Sequence, residues 1–189
     1  WKVDPPVVVG TVMSNSGFER YMASKGIRLE RAKVGDKYVS EQISTTGAKI
    51  GGEQSGHIIF PAHGPTGDGL VTALELFRVI KRENQLASAF FDRFENWPQL
   101  LVNIEVADRE TWDKVPEVQA AIEAANEKLS SNGRLNVRAS GTQPMIRVMV
   151  ESESAETRDA VAKDLVECLQ KYAGGKVYSQ VDLTHALGD

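Results

Sequence analysis

The chain has 189 residues, of which 41% are hydrophobic and 25% charged, the proportions of an ordinary soluble globular protein with room for one large domain or two small ones. A net charge of -4 argues against a general nucleic-acid surface, which needs a basic footprint. The single cysteine, Cys168, excludes an intrachain disulfide and is compatible with a reducing compartment, and no apolar stretch is long enough to span a bilayer.

The chain opens on "WKVDPPVVVG", almost directly in a strand and without a signal-peptide pattern. That is the expected look of a start inside a larger protein. "PPVVVGTVMS" is a β-branched run bounded by Pro5–Pro6 and by the turn-like "SNSG", and predicts a buried strand. "GFERYMASKG" predicts a short helix ended by Gly26, "IRLERAKV" a strand, and "GDKYVSEQISTTG" a helix closing at Gly47. "AKIGGEQSGHIIF" reads as two short extended pieces broken by glycines. "TGDGLVTALELFRVIKREN" predicts an amphipathic helix with Leu70, Leu74, Phe77 and Ile80 on one stripe and Thr66 as N-cap. Alternating strands and helices favour an α/β layered domain.

After that the character changes. "ENQLASAFFDRFENWPQ" reads as a helix followed by a linker ending at Pro98. Beyond it come the strand "LLVNIEVA", a helix through "VPEVQAAIEAANEKLSSNG", the strands "GRLNV" and "MIRVMV", and a long helix from Ser154. That helix sets Val161, Leu165, Cys168, Leu169 and Tyr172 on one stripe, and "GKVYSQV" follows as a last strand. The order β-α-β-β-α-β predicts a small α+β split βαβ domain. The expected division is a domain over 1–84, a helix and linker over 85–97, and a second domain over 98–189.

Two loops carry candidate chemistry. In "GGEQSGH", residues 51–57, an extended backbone would alternate its side chains and point Glu53, Ser55 and His57 the same way. A carboxylate accepts hydroxyl donors, a serine hydroxyl donates and accepts, and an imidazole exchanges a proton near neutral pH. The set suits adjacent hydroxyls of a sugar, with glycines 51, 52 and 56 admitting a ligand close to the backbone. It equally suits a glycine-rich bend whose side chains are satisfied by nearby backbone. A Ser/His/Asp hydrolase is a poor reading, because Ser55 lacks a G-x-S-x-G elbow.

The second loop is "RASGTQP". Arg138 offers a planar fork of donors matched to phosphate oxygens. Ser140 and Thr142 add hydroxyls, and the amides around Gly141 can form a concave anion nest. Arg147 follows on the next strand, from which it could lean back. The bland alternative is an Asx/ST-type turn with solvated arginines. The phosphate loop pattern G-x-x-x-x-G-K-[ST] is absent.

"GGEQSGHIIF" together with "RASGTQPMIRVMVE" closely resembles the α-D-phosphohexomutase family, and "TVMSN", "KVGDKYV" and "TGDGLVTALEL" sharpen the match to its bacterial amino-sugar branch. The resemblance covers nearly the whole chain in order. It implies the third and fourth of four domains, the third reading sugar hydroxyls and the fourth gripping the non-reacting phosphate. It also implies a reaction that interconverts glucosamine 6-phosphate and glucosamine 1-phosphate through a phosphoserine enzyme and a bisphosphate intermediate. Such chemistry belongs to a cytoplasmic protein that feeds cell-wall precursors, and it calls for no nucleic acid or membrane. Neither a T-A-S-H-N-like serine loop nor a D-G-D-x-D-R metal loop occurs in this sequence. The phosphoserine and the Mg2+ are therefore expected on N-terminal domains not in this chain, with no metal held here and no turnover by this chain alone.

Carried over residue by residue, the resemblance assigns Glu53 and Ser55 to sugar hydroxyls and His57 to proton transfer or substrate orientation. "KVGD" matches a specificity loop, which places Gly35 and Asp36 near the sugar and Lys33 within reach of it. Arg138, Ser140, Gly141 and Thr142 match the distal phosphate site, with Arg147 as a second clamp. Two departures stand out. Gln143 occupies a position where the family usually has an acid, and Lys37 one where it usually has arginine. Cys168, Trp97 and Trp112 read as packing residues, His63 as a solvated loop residue and Asp68 as a helix-start residue. The alternatives are a phosphomannomutase/phosphoglucomutase sibling, against which Gln54 argues, and a non-catalytic module that binds sugar phosphates.

Overall fold

The computed structural model describes residues 3–90, 93–106, 108 and 110–185. They form two compact units that divide between Asn96 and Trp97.

In the first unit β1 (Val7–Thr11), β2 (Arg28–Ala32), β3 (Gly51–Gly52) and β4 (Ile58–Ile59) make one sheet in the order β2-β1-β3-β4. The first three run parallel, and β4 returns antiparallel to β3. Three helices connect or follow them: α1 (Ser16–Ser24), α2 (Asp36–Thr46) and α3 (Gly69–Glu83). Alternate residues of a strand face one side, so Val7 and Val9 meet Val39 and Ile43 of α2 in a core shared with Ala32, Ala48 and Ile59. Each such buried valine or isoleucine side chain contributes about 1.5–3 kcal/mol. Gly51 is small for the sake of this packing: a Cβ there would lie 2.9 Å from Val39 and 2.8 Å from Ile43. The "TVMSN" segment turns β1 into α1 through buried polar groups. The Thr11 amide donates to Ser14 Oγ, and Asn15 caps α1 by accepting from the Gly17 amide.

Three details differ from the sequence reading. The N-cap of α3 is Asp68, whose Oδ1 accepts from the Leu70 and Val71 amides, and Thr66 lies outside the helix. The apolar stripe of α3 does not face a core: Leu70, Leu74 and Phe77 are 72%, 59% and 64% exposed, and no α3 residue is buried. Where a helix was expected past Asn84, a single 3-10 turn spans Ala87–Phe90. Phe91 and Asp92 lie outside the described residues.

The second unit is built from β5 (Gln99–Glu105), α4 (Pro116–Leu129), β6 (Gly133–Ala139), β7 (Met145–Ser152), α5 (Ala155–Tyr172) and β8 (Lys176–Asp182). Its sheet is antiparallel throughout, in the order β6-β7-β5-β8. This is the split βαβ order expected. Leu100, Val102 and Ile104 of β5 and Ile146, Val148 and Val150 of β7 bury one face against Val118, Ala125 and Leu129 of α4 and Val161, Leu165 and Leu169 of α5. Trp112 joins that core and Cys168 packs against it, whereas Tyr172 at the end of the expected stripe is exposed. On the opposite face Glu151, fully buried, accepts from Gln99 at 2.9 Å and from Arg134 at 3.1 Å. Both partners are its cross-strand neighbours. No helix of the described residues is long and apolar enough to cross a membrane.

Candidate functional site

The "GGEQSGH" segment is a hairpin turn and not an extended run. The Gly56 amide donates to Glu53 O at 3.0 Å and the Glu53 amide to His57 O at 2.9 Å. Gly56 makes this possible with φ +94, a conformation that costs most other residues strain. The expected alternation of Glu53, Ser55 and His57 on one face therefore does not hold. Ser55 sits exposed at the turn, and Glu53 and His57 flank it where the hairpin closes.

What the turn brings together instead is a set drawn from three segments. Gly35, at the N-terminal boundary of α2 with φ +126, donates its amide to Glu53 Oε1 at 2.7 Å. Asp36, in the first turn of α2, lies 3.2 Å from His57 Nδ1. Gly67 crosses close by, where a Cβ would be 3.3 Å from both Asp36 Oδ2 and His57 Cβ. One oxygen of Glu53 is thus fixed by backbone, and the other has no hydrogen-bond partner among the described residues. A proton on His57 Nδ1 donated to Asp36 leaves Nε2 as the outward acceptor. Lys33 is exposed, and its ammonium lies 5.8 Å from the centre of the Tyr38 ring. Lys37 pairs with Glu41 at 3.9 Å on the outside of α2. His63, read from sequence as merely solvated, lies 2.9 Å from Glu75 Oε1.

The second loop closes β6 and β7. Ser140 is buried, with its amide donating to Met145 O at 2.8 Å. Residues 141–144 are exposed, and the space around the Gly141 Cα is open. Among the described residues the Gly141 and Thr142 amides have no hydrogen-bond acceptor. Arg147 lies on the following strand, as expected, and is the direct cross-strand partner of Arg138. Neither guanidinium has a carboxylate partner among the described residues. Burial, and next the Arg147 charge, push the Arg138 pKa down from its ordinary value. The Nε of Arg147 is buried without an acceptor, and its Nη2 reaches Gln143 Oε1 only at 3.5 Å. Two facing cations, two unpaired amides and the Ser140 and Thr142 hydroxyls in one short loop form a suitable donor set for a tetrahedral oxyanion.

Comparison with known proteins gives this arrangement its family. Residues 1–97 match the phosphoglucomutase/phosphomannomutase alpha/beta/alpha domain III, and residues 101–168 match the phosphoglucomutase/phosphomannomutase C-terminal domain. The chain belongs to the phosphoglucomutase/phosphomannomutase family. Among its relatives are the phosphoglucosamine mutases of Mesorhizobium japonicum, 45% identical over 87% of this chain, and of Symbiobacterium thermophilum, 44% identical over 86%. The chain spans 36% of the length of each. The fold is shared with the N-acetylphosphoglucosamine mutase of Aspergillus fumigatus, at a TM-score of 0.74 and 20% identity, over 88% of this chain and 38% of that one. A phosphoglucomutase/phosphomannomutase family protein of Burkholderia thailandensis aligns at a TM-score of 0.65 and 21% identity, over 90% of this chain and 39% of that one.

The magnesium that membership of the phosphohexomutase family implies is a hard cation that prefers oxygen ligands in near-octahedral array. One group among the described residues gathers metal-capable atoms, Asp36, Glu53 and His57, within 4.8 Å of one another. It contains an imidazole already paired with Asp36, and a carboxylate oxygen already held by the Gly35 amide. That donor set does not fit magnesium.

Proposed function

We propose that this chain supplies the sugar- and phosphate-recognising part of a phosphoglucosamine mutase, which interconverts glucosamine 6-phosphate and glucosamine 1-phosphate through a phosphoserine enzyme and a bisphosphate intermediate. The observation that carries the reading is the pair of facing arginines, Arg138 and Arg147, without a carboxylate partner among the described residues and beside the exposed Gly141–Thr142 amides. A sheet does not set two cations opposite each other without cost, and a bound phosphate removes that cost. The names of relatives near 45% identity support the choice of sugar.

Within that reaction the residues of this chain bind and orient. Charge-assisted hydrogen bonds contribute roughly 1.5–3 kcal/mol each, so two or three from Arg138, Arg147 and the loop donors hold the phosphate that is not being transferred. Glu53, with one oxygen pinned by Gly35, accepts from sugar hydroxyls through the other, and Ser55 offers its hydroxyl at the tip of the same turn. His57, its Nδ1 facing Asp36, carries or accepts a proton at Nε2. Gly35 and Asp36 shape this sugar site, and Lys33 extends it. A phosphate grip and a hydroxyl reader that do not depend on which phosphate reacts suit a reaction whose intermediate must turn end for end. Metal chemistry in phosphoryl transfer neutralises charge on the transferring group. The metal-capable group among the described residues does not fit magnesium, and the proposal assigns that chemistry to residues outside this segment.

The test is kinetic. Glu53→Gln, placed in a protein that carries this segment within the full length of its relatives, should reduce turnover of glucosamine 6-phosphate and narrow its preference over glucose 6-phosphate. Affinity for inorganic phosphate should stay as it was. Unchanged kinetics on both sugars would contradict the assignment.

A further inference from the structure

The anion loop continues across the sheet that carries it. Residues directly opposite in an antiparallel sheet share a face. Arg138 is opposite Arg147, Arg147 is opposite Asn103, and Asn103 is opposite Ser179. These four form one row over β6, β7, β5 and β8, spanning about 14 Å at about 4.8 Å per strand. The row lies on the face turned away from the helices, because the adjoining residues Val102, Ile104, Ile146 and Val148 lie in the helix-packed core.

The row is cationic at one end and neutral at the other. Asn103 donates from Nδ2 to Ser179 Oγ at 2.9 Å. Its side-chain carbonyl oxygen has no donor among the described residues, and its cross-strand neighbour Arg147 has a buried Nε without an acceptor; no hydrogen bond joins the two in this structure. A guanidinium on this face repelled by Arg138 and touched only at 3.5 Å by Gln143 needs a further support, and that support must be uncharged if the cation is to remain available.

We propose that Asn103 is a positioning residue of the anion clamp: braced by Ser179, its unused carbonyl oxygen is the neutral acceptor that takes up the Arg147 Nε donor when a phosphate monoester binds, leaving the Arg147 charge to the phosphate. The inference rests on the reading of the Arg138–Arg147 loop as a phosphate site. A carboxylate in place of the amide would pair with Arg147 and cancel that charge. An aliphatic side chain would only remove the support.

The experiment is a titration of the chain with inorganic phosphate, followed by the amide shifts of Gly141 and Thr142, for the wild-type protein and for Asn103→Asp, Asn103→Ala and Ser179→Ala. Asn103→Asp should weaken binding by about tenfold or more, since opposite charges a few ångströms apart attract strongly. Asn103→Ala and Ser179→Ala should weaken it by about two- to fivefold. The neutral variants are the discriminating readout: a carboxylate near the site weakens anion binding by repulsion whatever Asn103 does, whereas Asn103→Ala and Ser179→Ala weaken it only if the amide supports Arg147. Wild-type affinity in Asn103→Asp overturns the inference alone. No response of the wild-type loop to phosphate overturns the phosphate reading itself. Unchanged affinity in both Asn103→Ala and Ser179→Ala overturns the inference, whether or not Asn103→Asp folds.

Discussion

Arg138 opposite Arg147 is a residue-scale conflict that stability alone would remove, because like charges in direct cross-strand register are destabilising. Arg138→Ala should therefore leave the stability of the fold within about 0.5 kcal/mol, as expected for a change that deletes repulsion along with some packing. It should nonetheless weaken phosphate binding far more than Lys49→Ala, an exposed control. Denaturant unfolding and phosphate titration of the same samples check both halves. A large loss of stability with unchanged phosphate affinity would make Arg138 structural. Asp182 shows the opposite economy. Burial alone would raise its carboxyl, but the Thr184 hydroxyl and amide and the Arg158 guanidinium outweigh burial and hold the pKa below its ordinary value of 3.8. A carboxyl depressed in the folded state adds stability above its unfolded pKa, and that stability is lost as pH falls through the folded value. Asp182→Asn should thus be less stable than wild type at pH 7, with the gap closing below pH 3.8. A gap that is constant from pH 7 to pH 2 would contradict the ion-pair account.

At the scale of elements, the strands, the five helices and the split βαβ order were legible because each rests on local periodicity and glycine punctuation. What was not legible depends on partners distant in sequence. "TGDG" offers two cap-capable residues, and only the Asp68 bonds to the Leu70 and Val71 amides decide against Thr66. Residues 53–57 were expected to run extended and to alternate their side chains, but the left-handed Gly56 folds them into a turn. The His57–Asp36 pair joins residues 21 positions apart, and no local pattern announces it. The Arg138–Arg147 register depends on the length of the loop, which the sequence left undetermined. Gly35 is the hinge of the sugar-side arrangement: at φ +126 it both begins α2 and donates to Glu53. Gly35→Ala should cost about 1–3 kcal/mol for a side chain forced into that conformation, readable as a lower thermal midpoint, and Lys37→Ala should not. The α3 stripe separates periodicity from burial. Phe77→Ser should change the stability of this chain by less than about 0.5 kcal/mol, as at other exposed positions, whereas Val39→Ala in the core should cost about 2 kcal/mol or more. Comparable losses from the two would place α3 in a core that the exposed side chains do not show.

For the whole molecule, two units carry two different kinds of donor set. The first holds a pinned carboxylate, a serine and an imidazole at a hairpin turn. The second holds a pair of arginines with no carboxylate partner among the described residues, and open amides on a β-loop. The central claim is that the second set is a phosphate site and that it takes a sugar through its phosphate. Its most direct test is an amide NMR titration of the 189-residue chain with glucosamine 6-phosphate, beside an identical titration with glucosamine. The account predicts shifts centred on Gly141 and Thr142 with the phosphorylated sugar, weakening as salt rises because exposed ionic contacts are screened, and no such shifts with glucosamine. Equal responses to the two sugars, or shifts confined to residues far from both loops, would contradict it.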